Sequence, residues 1–289
     1  MTLTYLVDGE LFDASEASVN VRDRGFLYGD AAFETMRVYA GELFAWEAHM
    51  DRLDATCRLL DIDHGIDSDT LYEWVMRVLA ENDLQEAAIR LSITRGIQPG
   101  ALRPTPAVDP TVVIIVRELG RSGIEGQPRW ETPATVYSAS RHKIPDSAIP
   151  AAAKTHNYLS GVLAHLDLPD DGDEALLRTV DGSIAEGTIS NLFLVDEGRL
   201  LTPGEESILP GITRYAVMVL AELLDIEVSE TPIQPAMLPT VDEAFLTNTT
   251  WEIRPIESVD GHHIGEGRIT RRLRTAFDTA IEANFYGAV

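Results

Sequence analysis

The sequence predicts an α+β fold of two domains. Strand-like runs and amphipathic helical runs alternate without the regular strand–helix–strand rhythm of a parallel sheet. A length of 289 residues suggests two domains, with ample material for a core. A Gly- and Pro-rich stretch has the composition of a linker and sets the boundary at 120–128, dividing an N-terminal α/β domain, 1–119, from a C-terminal domain, 129–289.

The elements follow in order. Tyr5 to Phe12 is apolar on both sides of Asp8-Gly9, a strong hairpin signal, and Met36 to Phe44 repeats the arrangement around Ala40-Gly41. Helical spacing runs from Trp46 to Leu60, with Met50, Leu53, Cys57 and Leu60 on one stripe, and again from Ser68 to Asn82. Ala87 to Thr94 and Thr111 to Val116 read as strands. In the second domain, strands are expected at 135–140, 175–178, 184–186, 191–195, 200–201 and 244–247. Turns such as Val180-Asp-Gly182 and Asp196-Glu-Gly198 separate several of them. Helices are expected at 157–167, 211–224 and 270–284.

Charge narrows the function classes. The chain carries 47 acidic against 23 basic residues, a formal net charge of −24. Such a surface repels phosphate, which argues against a nucleic-acid partner. It suits solubility in high salt, where the Debye length shrinks to about 3 Å at 1 M, so a halophilic cytoplasm is the expected setting. The one cysteine, Cys57, excludes an intrachain disulfide and sits at core spacing. No signal peptide or membrane span is expected; the longest strongly apolar stretch, around Val112 to Val116, is strand-sized. The spacing of Gly96, Gly100, Gly123 and Gly126 makes no nucleotide-binding fingerprint, and the tandem His262-His263 offers too few ligands for a metal.

Lysine is nearly absent. Against 21 arginines there are two, Lys143 and Lys154. A desolvated lysine amine can attack a carbonyl to form a Schiff base, whereas a guanidinium stays charged and cannot. Lys143, in Arg141-His-Lys-Ile-Pro145, reads as an ordinary surface lysine. Lys154 follows an alanine run and precedes a polar-aromatic cluster, which suits a partly buried amine. On those grounds alone, a Schiff-base role and a buried ion pair both stay open.

The most informative stretch is Glu186-Gly-Thr188-Ile-Ser-Asn191-Leu-Phe193, then Leu200-Leu-Thr202, then Leu209-Pro-Gly211-Ile-Thr213-Arg214. In order and spacing it resembles the signature of the class IV aminotransferases, the fold-type IV enzymes that use pyridoxal 5′-phosphate. The resemblance extends to Arg24-Gly-Phe-Leu-Tyr28-Gly-Asp30, His49-Met-Asp-Arg52-Leu, Lys154 with Asn157-Tyr158, and Phe245-Leu-Thr-Asn-Thr249-Thr. It implies an active site between the two domains, with the C-terminal one binding the coenzyme, and a homodimer.

The resemblance also implies roles that physical chemistry supports. Lys154 would hold the coenzyme as a Schiff base and shuttle the proton. Glu186 would pair with the pyridine nitrogen, since an adjacent anion favours the protonated ring. Arg52 would clamp the phosphate with its bidentate fork, and Gly211, Ile212 and Thr213 would offer it the free N–H groups of a helix N-terminus. Thr249 would add a hydroxyl there, Leu209 would pack on the ring, and Tyr158 would reach the ring oxygen. His156 reads as an orienting or packing residue.

The substrate is harder to read. Tyr28, Phe33, Arg90 and Arg95 are the expected substrate-binding residues, with either arginine suited to a carboxylate. Ala88-Ile-Arg90 keeps the arginine of the branched-chain aminotransferases but lacks their tyrosine. Gly100-Ala-Leu102 lacks the Arg-x-His clamp of the D-amino-acid enzymes. Thr35, in Phe33-Glu-Thr35-Met-Arg37, and Lys154-Thr-His-Asn-Tyr158 resemble the 4-amino-4-deoxychorismate lyases. The first expectation is therefore a lyase releasing pyruvate and 4-aminobenzoate, with Thr35 assisting pyruvate departure. The alternatives are a transaminase for branched-chain L- or D-amino acids, and a coenzyme-free binding protein of the same fold.

Overall fold

Two tight turns shape the first sheet. At Asp8-Gly9 and Ala40-Gly41 both central residues have positive φ, between 49° and 86°, which matches the twist of the strands they join. The computed structural model describes residues 3–99, 102–105, 109–119, 132–265 and 267–283. These form two compact units, Met1–Arg121 with Ala153–Asn157, and Ser122–Ala152 with Tyr158–Val289. The linker expected at 120–128 lies outside the described residues. Within the span expected for the C-terminal domain, the short segment Ala153–Asn157 groups with the N-terminal unit.

The first unit contains β1 (Thr4–Val7), β2 (Glu10–Asp13), α1 (Arg24–Tyr28), β3 (Ala31–Tyr39), β4 (Glu42–Leu43), α2 (Trp46–Leu59), α3 (Ser68–Glu81), β5 (Ala87–Thr94) and β6 (Val112–Glu118). Its strands form one antiparallel sheet in the order β2-β1-β6-β5-β3-β4. Asp67 caps α3 by accepting from Thr70 N–H at 2.7 Å. Leu53 and Cys57 of α2 and Leu71, Val75 and Val78 of α3 bury their apolar stripes against Leu6, Met36, Ile89, Leu91 and Ile114 of the sheet. Burial pushes the Cys57 thiol up to about 12, so it serves as a core side chain.

The second unit contains β7 (Ala134–His142), α4 (Leu159–Leu166), β8 (Glu174–Arg178), β9 (Ile184–Gly187), β10 (Asn191–Asp196), β11 (Arg199–Thr202), α5 (Ile212–Leu223), β12 (Val228–Glu230), β13 (Glu243–Asn248), β14 (Glu252–Val259), β15 (His262–His263) and α6 (Arg268–Glu282). Its mixed sheet runs β12-β11-β10-β13-β14-β7-β8-β9, with β15 beside β14. Leu176, Leu192, Leu194, Leu246 and Ile256 lie in its core. Among the described residues no helix is long and apolar enough to cross a membrane.

Most expected elements form within a residue or two. The notable miss is β14. Its interior carries Arg254-Pro255, a charge and a ring without an N–H, which argue against a central strand. Tertiary partners override this: the buried Arg254 donates to the Thr132 carbonyl at 3.0 Å and pairs with Asp173 at 3.0 Å. Helix α1, of five residues, is too short to show a period.

Gly96 has a φ of +77°, and a Cβ there would lie 1.7 Å from the Asp109 carbonyl oxygen. Gly96→Ala should therefore destabilise the chain by more than about 2 kcal/mol. A denaturant midpoint unchanged from wild type would contradict this.

Candidate active site

Alternate residues of β3 point to opposite faces of the first sheet. Ala32, Met36 and Val38 enter the core beside α2, and Glu34 shares their face with no measurable exposure. A carboxylate there needs donors, and α2 supplies them. Arg52 donates from Nε and Nη2 to the two Glu34 oxygens at 2.8 and 2.7 Å, and His49 Nδ1 lies 2.8 Å from Oε2. Burial alone would raise the Glu34 pKa. The Arg52 charge, its hydrogen bonds and that of His49 outweigh burial and hold the carboxyl well below its ordinary value of 4.5. An ionised carboxylate only accepts, so His49 donates from Nδ1, while burial keeps the imidazole below its usual range.

The opposite face presents Phe33 and Thr35, with Ser92 and Arg90 as their respective cross-strand partners. The Arg90 guanidinium lies 3.6 Å from the Phe33 ring centroid, and Lys154 Nζ lies 4.5 Å from the same ring. Backbone pairing brings the lysine there. Phe33 N–H donates to the Lys154 carbonyl at 3.0 Å, and His156 N–H to the Ala31 carbonyl at 3.2 Å. Lys154 N–H donates to Thr56 Oγ1 at 3.2 Å. Thr56 is one helical turn beyond Arg52, so α2 positions the arginine and the lysine together. His156 Nε2 lies 3.2 Å from Ser92 Oγ. Burial, reinforced by the Arg90 charge, lowers its pKa to about 4 and leaves it neutral at pH 7.

In the second unit a fully buried carboxylate, Glu174, organises the turn that follows Glu186 at the end of β9. It accepts from Thr188 Oγ1 at 2.6 Å, Thr188 N–H at 3.1 Å, Ser190 Oγ at 2.9 Å and Ala175 N–H at 2.9 Å. Burial would raise its pKa, but the His165 and Thr188 hydrogen bonds outweigh it and lower the pKa. Beyond this turn, Asn191 Nδ2 donates to Glu186 Oε2 at 3.3 Å and to the Leu209 carbonyl at 3.0 Å, and Leu209 N–H donates to Glu186 Oε2 at 3.0 Å. Gly211 is the N-cap of α5 and uses no side-chain cap; a Cβ there would lie 2.0 Å from Asn191 Oδ1. Arg214, 2% exposed, fixes this helix by donating to Thr202 Oγ1 at 3.3 Å and the Pro203 carbonyl at 2.9 Å.

The first unit thus brings together Phe33, Thr35, Arg52, Arg90 and Lys154, and the second Glu186, Leu209, Gly211, Ile212 and Thr213. Tyr158 is the half-buried N-cap of α4, and Thr249 lies in the turn after β13. Tyr28 closes α1, 44% exposed, with the Arg24 guanidinium over its ring.

Two expectations change. Arg95, expected to bind substrate, is buried, with its guanidinium donating to Asp30 and to the Leu60 and Asp61 carbonyls, so it braces loops. Lys143 is no solvated lysine: its ammonium pairs with Glu186, and its side chain is 16% exposed. Sequence reading also gives no role to Glu34, His49 or Glu174. The period-two pattern of β3 carried a signal for Glu34, which shares its parity with Ala32, Met36 and Val38.

Removing the Glu34 charge tests the first network. Glu34→Gln should cost about 3 kcal/mol of stability at pH 7, since it leaves the largely buried Arg52 without its anion. The folded pKa is depressed, so this contribution is complete above the ordinary value of 4.5 and is lost as pH falls toward the folded value. The gap between variant and wild-type denaturation midpoints should narrow at pH 3; an equal gap at both pH values would rule the ion pair out as its source.

Known proteins resemble this chain over nearly its whole length. The family model for amino-transferase class IV matches residues 31–259. A Methanocaldococcus jannaschii protein provisionally named a branched-chain-amino-acid aminotransferase is 37% identical over 280 residues, 94% of each chain. The D-alanine aminotransferase of Staphylococcus haemolyticus is 29% identical, covering 96% of this chain and 97% of its own. Among solved structures, the T.th. branched-chain amino acid aminotransferase with pyridoxamine 5′-phosphate superposes with a TM-score of 0.90 at 26% identity, covering 98% of this chain and 95% of its own. The 4-amino-4-deoxychorismate lyase of Pseudomonas aeruginosa gives 0.82 at 27% identity, covering 96% and 98%. With the signature residues folded as described and the family model matching most of the chain, this protein belongs to the class IV aminotransferase family.

Proposed function

We propose that the chain is a pyridoxal 5′-phosphate-dependent transaminase that moves the amino group of a branched-chain amino acid to a 2-oxo acid. The observation that carries this reading is the outer face of β3 and β5, where the Lys154 amine and the Arg90 guanidinium share the Phe33 ring. An amine to move a proton beside a cation to bind a carboxylate is what an amino-acid substrate requires.

The residues present suit the coenzyme. The first turn of α5 has no side-chain cap, so its N–H groups suit a phosphate, with Thr249 as a further donor. Thr247 Oγ1, cross-strand from Asn191, is a buried hydroxyl without a hydrogen-bond partner, another donor available to a polar ligand. Arg52, already oriented by Glu34, would add the cation for the phosphate. Glu186, held by Asn191 and the Leu209 N–H, would accept from a protonated ring nitrogen. Tyr158 would donate to the ring oxygen, and Leu209 would pack against the ring.

When bound, the coenzyme supplies an electron sink for the pair left at the substrate Cα. Lys154 Nζ would take the Cα proton and deliver it to the coenzyme carbon that bears the amino nitrogen; water then releases the 2-oxo acid, and the acceptor 2-oxo acid takes up the amino group by the same steps in reverse, with Lys154 again carrying the proton. Glu186 favours the protonated ring by its charge. Arg90 orients the substrate through its carboxylate. His156, neutral and tied to Ser92, packs beside Phe33 with ring centroids 5.5 Å apart.

The relatives' names shift the balance away from the lyase expected from Thr35 and the Lys154 motif. Sequence relatives that span the chain carry transaminase names, and the lyase enters as a structural neighbour. Thr35 beside Arg90 keeps the lyase as the second reading.

Exposed apolar residues support a homodimer. Phe26 and Leu102 in the first unit are 71% and 76% exposed, and Leu159 and Leu166 in the second 68% and 74%. The charge of −24 supports a soluble enzyme of a high-salt cytoplasm.

Purified enzyme should turn over valine, leucine or isoleucine with 2-oxoglutarate, and pyruvate release from 4-amino-4-deoxychorismate should be slow by comparison; brisk release without amino transfer would install the lyase instead. Lys154→Ala should lose more than about 10⁴-fold in kcat, because one residue supplies both nucleophile and proton shuttle. A modest loss would remove Lys154 from the chemistry. Sedimentation in molar salt should show a dimer, and an active monomer would contradict that assignment.

A further inference from the structure

Lys143, one of the two lysines in the chain, lies just beyond β7. Its N–H donates to the Arg178 carbonyl at 2.8 Å, which extends the pairing of β7 with β8 by one residue. From there the ammonium reaches Glu186 Oε1 as a direct ion pair, with the two side chains 16% and 13% exposed. Glu186 Oε2 is held differently, by the neutral donors Asn191 Nδ2 and Leu209 N–H. One carboxylate is thus fixed from two directions, with a cation at one oxygen and neutral donors at the other. The lysine also lines a cavity of about 360 Å³ with Pro145, Val180, Ile184 and Pro203, so a substituted side chain has room there.

We propose that Lys143 is a positioning residue that keeps Glu186 ionised and oriented toward the nitrogen of the coenzyme ring. The proposal rests on the Glu186 reading above and deepens it. A largely desolvated carboxylate loses its charge unless a cation or several donors stand beside it. Here Lys143 supplies that cation, at Oε1. The lysine makes no bond to the coenzyme and acts through Glu186 alone.

The test compares two ligands on the full-length protein freed of coenzyme: pyridoxal 5′-phosphate, and its analogue with the ring nitrogen replaced by carbon. The ratio of their dissociation constants measures the preference for the nitrogen, independently of phosphate binding and of turnover. Lys143→Met should reduce that preference about tenfold, in line with the loss of a charge-assisted hydrogen bond, and Lys143→Arg should keep it. Should Lys143→Met fail to fold, Lys143→Gln gives the same reading. A wild-type ratio in the neutral variants overturns the proposal, including the case where both ligands weaken together, which would mark a merely structural lysine. Glu186→Gln separates the two levels: if it lowers the ratio while the neutral Lys143 variants do not, only the Lys143 role falls. If Glu186→Gln keeps the wild-type ratio, the Glu186 assignment fails and the Lys143 role with it.

Discussion

A carboxylate removed from water must be ringed by donors or give up its charge, and each unit of this chain holds such a carboxylate behind its candidate site residues. In the first unit the carboxylate is Glu34. Its oxygens draw Arg52 and His49 of α2 down onto β3, fixing the helix whose next turn offers Thr56 to the Lys154 backbone. In the second unit it is Glu174, whose donors are the hydroxyls and N–H groups of the turn between Glu186 and Asn191. Neither carboxylate is among the residues proposed to meet coenzyme or substrate. Both fix the backbone from which such residues project, so rigidity at the site derives from charges behind it.

The signature stretch gains a physical reading from this. In Glu186-Gly-Thr188-Ile-Ser190-Asn191 the outer residues engage one another, Asn191 donating to Glu186, while Thr188 and Ser190 turn inward to Glu174. Asn191 also ties the Leu209 carbonyl and lies where a Cβ on Gly211 would clash. Arg214 and Thr202 then clamp the start of α5 to the end of β11. Residues far apart in sequence thus form one hydrogen-bonded unit.

Local signals were legible in the sequence and long-range ones were not. The turns at Asp8-Gly9 and Ala40-Gly41 are set by backbone preferences of neighbouring residues, and the Leu53-Cys57 stripe by helical period, so both could be read directly. β14 could not, because the charge of Arg254 inside the strand is met by partners at Thr132 and Asp173. Arg95 looked like a substrate arginine beside Thr94 and Gly96, yet its bonds run back to Asp30, Leu60 and Asp61. Lys143 looked solvated because Glu186 lies 43 residues away. The family signature includes groups proposed for chemistry and some that hold them, such as Thr188, Asn191 and Arg214, whereas Glu34, Glu174 and Lys143 carry no comparable pattern.

Electrostatics on the β3–β5 face bears on how an anionic substrate enters a protein of charge −24. The overall field opposes it, but screening confines that field to about 3 Å in molar salt, so groups in contact decide binding. Arg90 is stacked on Phe33 and opposite Thr35, and the Lys154 amine lies on the same ring. A protonated His156 would add a third cation against Arg90. Burial and the Arg90 charge instead place its pKa at about 4, and Ser92 provides a neutral hydrogen-bond partner. His156 therefore stays neutral at pH 7, and the substrate contact proposed for Arg90 carries no histidine titration superimposed on it near neutral pH.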